Sequence, residues 1–274
     1  MTPELSLRIE QALDAAAQSR IGGVAALPGN PLEVETRTWD GLNATVVRRP
    51  ILYYGYYNAI RGVHEAEPGA PAEALAWCRR EGASPRLTTS PVLADESTLA
   101  ALSEQGMRVI GFMSLLYGPP SPTAPASSIE VYEVSPGSRG AFEELWLGDA
   151  ALEVRPNLRT LCAGEFASWR VYAAFDRGAL PEGNGIPAAG AGVPAAYGCL
   201  YVSGGVGVLA SGFTRPSSRG RGLQSALIAR RTADAASAGC DIVVSTAVPG
   251  SQSERNLRRA GLSLGYTQSI WGPQ

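Results

Sequence analysis

Between residues 217 and 225 the sequence Ser-Ser-Arg-Gly-Arg-Gly-Leu-Gln-Ser alternates two arginines with two glycines, just ahead of a run with helical periodicity. Gly220 and Gly222 have no side chain, so a ligand can approach the backbone closely there. The first amides of the following helix lack intrahelical acceptors and carry the positive end of the helix dipole behind them, which makes an anion site. Arg219 and Arg221 add two fixed positive charges, suited to a diphosphate. Without a ligand the same turn is a solvated basic loop, and short glycine motifs alone do not decide between the two. The flanks favour the ligand: 206–213 reads as a strand, Arg215-Pro216 breaks it, Ser217 and Ser218 suit a turn, and Leu223 opens the helix. Neither the P-loop pattern nor the three-glycine dinucleotide fingerprint is matched, so nucleoside triphosphates and NAD fit poorly.

This stretch, with Gly220 and Gly222 in register, resembles the acetyl-CoA pyrophosphate loop of the GNAT N-acetyltransferase superfamily, Gln/Arg-x-x-Gly-x-Gly/Ala; Ser217 stands where Gln or Arg is usual. The resemblance extends to a strand before the loop, the helix after it, a strand at 240–247 and a helix at 251–262, with Leu262 in place of the family's aromatic. It implies an α/β fold with a mixed sheet, acetyl-CoA as co-substrate, and direct transfer of acetyl to a primary amine of a small molecule or peptide in a ternary complex. It places backbone contacts at Phe213 and Thr214, a phosphate cradle on Arg219, Gly220, Arg221, Gly222, Leu223, Gln224 and Ser225, and a side-chain amide contact on Asn256. The family splays the strand before the loop with a bulge, and Gly212 is the residue that would make it.

The family's glutamate on that strand and tyrosine on the last helix have no counterpart: 206–214 contains no carboxylate, and the position four before Gly261 is Leu257. Proton transfer then falls to water or to a side chain from elsewhere. Tyr201, Glu165 and Tyr266 are the candidates, each also readable as a packing or surface residue. An alternative is a catalytically quiet acetyl-CoA-binding sensor or interaction module, and a third is recognition of some other phosphorylated ligand at the same helix start.

The elements that must position this loop fill 274 residues, enough for two domains of about 130. A formal net charge of −2 gives no global field to recruit nucleic acid or an anionic membrane. Cys78, Cys162, Cys199 and Cys240 are scattered, without a CxxC pair, so they read as buried thiols and no metal site is expected. The N-terminus is too polar for a signal peptide and no apolar run approaches a membrane span, so a cytoplasmic protein, monomer or homodimer, is expected. His64, the one histidine, lies in a segment rich in Pro, Gly and Glu that reads as surface loop.

A helix is predicted over 1–19, ending before Gly22-Gly23, then two strands around Asp40-Gly41, and an aromatic patch at Tyr53, Tyr54, Tyr56 and Tyr57. From Ala72 a helix, a short strand, a helix at 96–104 and a long strand recur in the same order near the C-terminus. Gly82 matches Gly239, Pro91 matches Pro249, and Gly106 matches Gly261, which suggests two copies of one fold. Residues 121–128, rich in Pro, Ser and Ala, read as a linker between an N-terminal degenerate copy, 1–120, and a C-terminal copy, 129–274. The second copy is expected to hold strands at 129–134, 169–175 and 195–202, helices after Ser138 and at 158–167, and a long loop at 176–192. Ahead of the helix at Ala72, the acidic segment HEAEPGAPAEA would repel a diphosphate, so the first copy is expected to bind no CoA.

Overall fold

The computed structural model describes residues 1–49, 57–67, 69–121, 129–135, 147, 156, 159–160, 169–175 and 194–273. Helix α1, Pro3–Ala25, starts on Thr2, whose hydroxyl accepts from the Leu5 amide, with proline in the first turn. It continues through Gly22 and Gly23, where the sequence predicted its end. Ile21 and Val24 account for the difference: both pack against Leu32, Val34, Val47 and Tyr57, and their burial outweighs the roughly 1 kcal/mol that each helical glycine costs. A hairpin follows, β1 (Val34–Trp39) and β2 (Leu42–Val47), with Trp39 opposite Leu42 across Asp40-Gly41, as the Asp-Gly dipeptide predicts. Strand β3 (Ala59–Arg61) completes a three-stranded sheet.

Then come α2 (Ala70–Arg80), β4 (Leu87–Thr89), α3 (Glu96–Glu104) and β5 (Met107–Gly118). Helix α2 begins two residues earlier than expected because Pro71 is at home in a first turn. The second half contributes β6 (Val131–Val134), β7 (Arg170–Ala174), β8 (Ala196–Ser203), β9 (Val206–Thr214), α4 (Leu223–Ser237), β10 (Ile242–Ala247), α5 (Gln252–Arg259) and β11 (Ser263–Pro273). Gly82, Gly106, Gly239 and Gly261 all stand at positive φ just past a helix. After three of them the chain closes the same way, with Ala83, Cys240 and Leu262 donating back to Cys78, Ala235 and Leu257. Tyr53, Tyr54, Tyr56, Cys162, Glu165, residues 122–128, the helix expected after Ser138, most of 158–167 and the loop 176–192 lie outside the described residues.

Eight strands form one sheet in the order β4-β11-β5-β10-β9-β8-β7-β6, antiparallel throughout except for β9 beside β10. The last strands of the two halves are exchanged. Strand β10 takes β5 as its outer neighbour, β4 takes β11, and β5 and β11 pair with each other from Ser263 opposite Tyr117 to Pro273 opposite Met107. Alternation along β9 and β10 sends Val206, Val208, Ile242 and Val244 to the face under α1, and Leu209 and Val243 to the face under α4 and α5. Separated at residue 121, the pieces 1–120 and 129–274 each lack a strand that the other supplies. Expressed alone, each is expected to be insoluble or to show no cooperative thermal transition by circular dichroism, whereas co-expression should recover a soluble pair.

Helix α1 is fastened to the second half along its length. Arg8 pairs with Asp241 just ahead of β10, and Glu10 accepts from the Tyr266 hydroxyl (2.6 Å) and from the Gln268 amide (2.8 and 3.0 Å) on β11. Loss of water around Glu10 pushes its carboxyl up to about 7, with nearby Asp14 adding to the rise and the two hydrogen bonds opposing it. The folded chain thus keeps a proton that the unfolded chain, with a carboxyl near 4.3, has already released. Stability is therefore fullest at acid pH on this account, falls as pH rises from about 4.5 to about 7, and is level above that. The thermal midpoint should decline across that window, and Glu10→Gln should flatten the profile.

Candidate functional site

Parallel pairing of β9 with β10 runs from Val206 beside Ile242 to Val208 beside Val244 and stops. The Ser245 hydroxyl makes one more contact, donating to the Leu209 carbonyl at 2.7 Å. Beyond it the two strands diverge, β9 continuing to Thr214 and β10 to Ala247 without a ladder between them. The divergence starts at a bulge: Tyr197 faces Phe213 and Cys199 faces Ala210, so Ser211 and Gly212 together oppose the single residue Gly198. The sequence pointed to Gly212 as its maker, but the residue in the left-handed region is Ser211, with φ 53°. Gly212 has its own role, because a Cβ there would meet the Gln224 side-chain oxygen at 3.1 Å.

A bulge frees carbonyls that a regular ladder would satisfy, and here a buried arginine takes them. Arg231, on the inner face of α4 and 2% exposed, donates to the Cys199 and Ala210 carbonyls at 3.1 Å each and to Leu227 at 3.0 Å. Burial pushes its guanidinium down to about 10, which still leaves it charged at neutral pH. Gly198 makes the room: a Cβ at that position would lie 2.6 Å from the Arg231 Cζ. The apolar stripe Leu223, Leu227, Ala235 on α4 already places residue 231 inward, so this arginine had a signal in the sequence that the motif reading passed over.

From Thr214 the chain turns through Arg215 and a short 3₁₀ turn, Pro216–Ser218, to Gly220 (φ 79°) and Gly222 (φ 83°), and α4 starts. Arg219, Gly220, Arg221, Gly222 and Ser225 are exposed at this start. The Leu223 side chain is instead a core residue, which leaves it only its amide to offer a ligand. The Gln224 amide donates to the Phe213 carbonyl (2.8 Å) and the Thr214 hydroxyl (3.0 Å), tying the first turn of α4 to the end of β9. Helices α1, α3 and α5 are capped by Thr2, Asp95 and Ser251 and carry an acidic residue in the first turn. Helix α4 has neither, so its first amides are left to whatever lies in front of them. The matching start in the first half, α2, also lacks a side-chain cap but has Glu73 in its first turn, with Glu65 and Glu67 just ahead. There β3 meets the chain just ahead of β4 in an isolated parallel bridge, Ala59 beside Arg86.

The other expected site residues are spread out. Asn256 on α5 is half-buried, and its side-chain oxygen accepts from Gln252 (2.8 Å) and Arg259 (3.1 Å). Tyr201 lies on the α1 face of β8, its ring 5.2 Å from that of Trp169. Tyr266 is held by Glu10, and burial raises its hydroxyl above the usual range. Leu257, where the family's tyrosine would stand, is in the core. His64 is a correction: it is half-buried rather than on the surface, because its Nε2 accepts the Ser90 amide at 3.0 Å, and burial lowers its pKa. Among the described residues no cluster of His, Cys, Asp and Glu could hold a metal, and no helix is long and apolar enough to cross a membrane. Cys78, Cys199 and Cys240 are buried free thiols.

No protein-family model and no curated protein matches the sequence. Solved structures do match in fold. A GCN5-related N-acetyltransferase from Kribbella flavida superposes with a TM-score of 0.62 at 17% identity, over 94% of each chain. A tandem GNAT protein from the clavulanic acid biosynthesis pathway gives 0.55 at 15% identity, also over 94% of each chain. A GNAT-family acetyltransferase from Novosphingobium aromaticivorans gives 0.53 at 16%, over 94% of this chain and 99% of that one. The fold is therefore that of the GNAT superfamily, with a mixed α/β sheet and the length of a tandem GNAT chain.

Proposed function

We propose that this chain is an acetyl-CoA-dependent N-acetyltransferase built from a degenerate N-terminal GNAT-like unit, 1–120, and a cofactor-binding C-terminal unit, 129–274. The observation that carries the reading is the junction of a bulged, splayed β9 with the uncapped, arginine-flanked start of α4. In this reading the pantetheine arm lies between the ends of β9 and β10 against the Phe213 and Thr214 backbone. The diphosphate sits on Arg219, Gly220, Arg221, Gly222, Leu223, Gln224 and Ser225, and Asn256 reaches the cofactor from α5. A primary amine of a small molecule or peptide attacks the thioester carbonyl, the carbon–sulfur bond breaks, the amine loses a proton and the CoA thiolate takes one up. Solvent carries the amine proton unless Tyr201, Glu165 or Tyr266 does. The N-terminal unit binds no CoA, since Glu65 and Glu67 precede the corresponding helix start and Glu73 stands in its first turn, where their charge opposes a diphosphate.

A second reading, a catalytically quiet acetyl-CoA-binding module, is favoured by two observations: β9 has no carboxylate, and Leu257 fills the place of the family's tyrosine. Both readings take the chain as a cytoplasmic monomer or homodimer with no nucleic acid or membrane partner. Isothermal titration of the full chain against acetyl-CoA, CoA and ADP tests the shared premise, with ADP binding as tightly as acetyl-CoA counting against both. An acyl-transfer assay across a panel of amines separates them: turnover on any acceptor supports the enzyme, and none supports the module.

A further inference from the structure

The bulge in β9 is gripped from both faces of the sheet. From below, Arg231 takes the Cys199 and Ala210 carbonyls. From above, Arg20 of α1, 6% exposed, donates from Nη2 to the Ser211 hydroxyl at 3.1 Å, and its guanidinium lies 4.2 Å from the Trp169 ring centre. Ser211 is the residue that needs holding, because an L-residue at φ 53° persists only where its surroundings over-determine it. The other non-glycine left-handed residues among those described, Asn30 and Glu33, lie in the turn before β1, and the Asn30 side chain bonds both the amide and the carbonyl of Val34. Two and three residues beyond Ser211 come Phe213 and Thr214, which Gln224 ties to the first turn of α4. A chain of contacts thus runs from the N-terminal helix through the bulge to the exposed amides of α4.

We propose that Arg20 is a positioning residue for the cofactor slot: by holding Ser211 it fixes the β9 bulge, so the N-terminal unit, which carries no cofactor itself, sets the affinity of the C-terminal unit for acetyl-CoA. The proposal rests on the reading of that slot as an acetyl-CoA site. It gives the first unit a task in the reaction and explains why α1 packs across β8 and β9 of the other half. Arg20 touches neither reacting group; its effect passes through Ser211.

The test is titration of the full chain with acetyl-CoA, each variant first checked for a native circular dichroism spectrum and a cooperative thermal transition. Arg20→Met and Ser211→Ala should each weaken binding by about tenfold, the equivalent of roughly 1.4 kcal/mol. Glycine reaches positive φ at no steric cost, so in a Ser211→Gly background the further change Arg20→Met should cost less than about twofold. Should Arg20→Met fail to fold through loss of its stack on Trp169, Ser211→Ala leaves that stack intact and carries the test. Folded Arg20→Met or Ser211→Ala binding within about twofold of the parent overturns the proposal, as does an Arg20→Met effect of equal size in both backgrounds. Failure of the unaltered chain to bind acetyl-CoA instead removes the slot itself, and the positioning role with it.

Discussion

Gly222→Val lowers acetyl-CoA affinity by at least about a hundredfold, close to 3 kcal/mol, while the fold survives. Gly222 caps α4 at φ 83°, a region closed to a β-branched residue, so valine must move the backbone that aims the first amides. Its Cβ would reach Ile129 Cδ1 at 3.4 Å, an ordinary van der Waals contact, so it is the backbone conformation rather than crowding that bars valine. The cost to stability is about 1–3 kcal/mol, since the residue is exposed and the strain is local. Isothermal titration with acetyl-CoA, beside a thermal melt of the same sample, separates the two effects. A folded variant that binds as the parent does would mean that the ligand is held elsewhere.

The largest expected loss of stability comes from Arg231→Met, about 3 kcal/mol, with a fall of roughly 6–12 °C in thermal midpoint. Methionine fills much of the space but donates nothing, leaving the Cys199 and Ala210 carbonyls buried without their partner. Gly198→Ala attacks the same contact from the other side. Its Cβ would sit 2.6 Å from Cζ of a guanidinium held by three carbonyls, so the arginine has nowhere to retreat, and the expected cost is about 1–3 kcal/mol. Because both act on one contact, the double variant should lose clearly less than the sum of the two. Additive losses in urea titration would show that the arginine and the glycine do not share a role.

What the sequence made legible follows from how local each signal is. The Asp40-Gly41 hairpin, the paired glycines at 82 and 239 and at 106 and 261, and the turn at 215–222 are set by residues within a few positions of one another, and they lie where the sequence placed them. The end of α1 did not, because Gly22-Gly23 is a local stop signal overruled by Ile21 and Val24 finding partners across the chain. Likewise His64 reads as loop by its neighbours, and only Ser90, far along the chain, gives it a partner. In the site, glycine spacing and flanking elements reveal the loop, and the internal glycine of β9 reveals the bulge. The groups that fasten the bulge, Arg20 and Arg231, and the Glu10 contacts with Tyr266 and Gln268, join residues with no common motif. Exchange of β5 and β11 is invisible to any reading of a repeat, since the same elements in the same order serve exchanged and unexchanged pairing alike.

That exchange also bears on how the molecule comes into being on the ribosome. Strand β4 is finished early in synthesis, yet its sheet neighbour is β11, the final strand described, and the two meet through Trp271 opposite Leu87. The first-made half must therefore wait, with one edge open, until β11 has left the exit tunnel. A chain halted just ahead of β11 would leave both β4 and β5 without that partner at once.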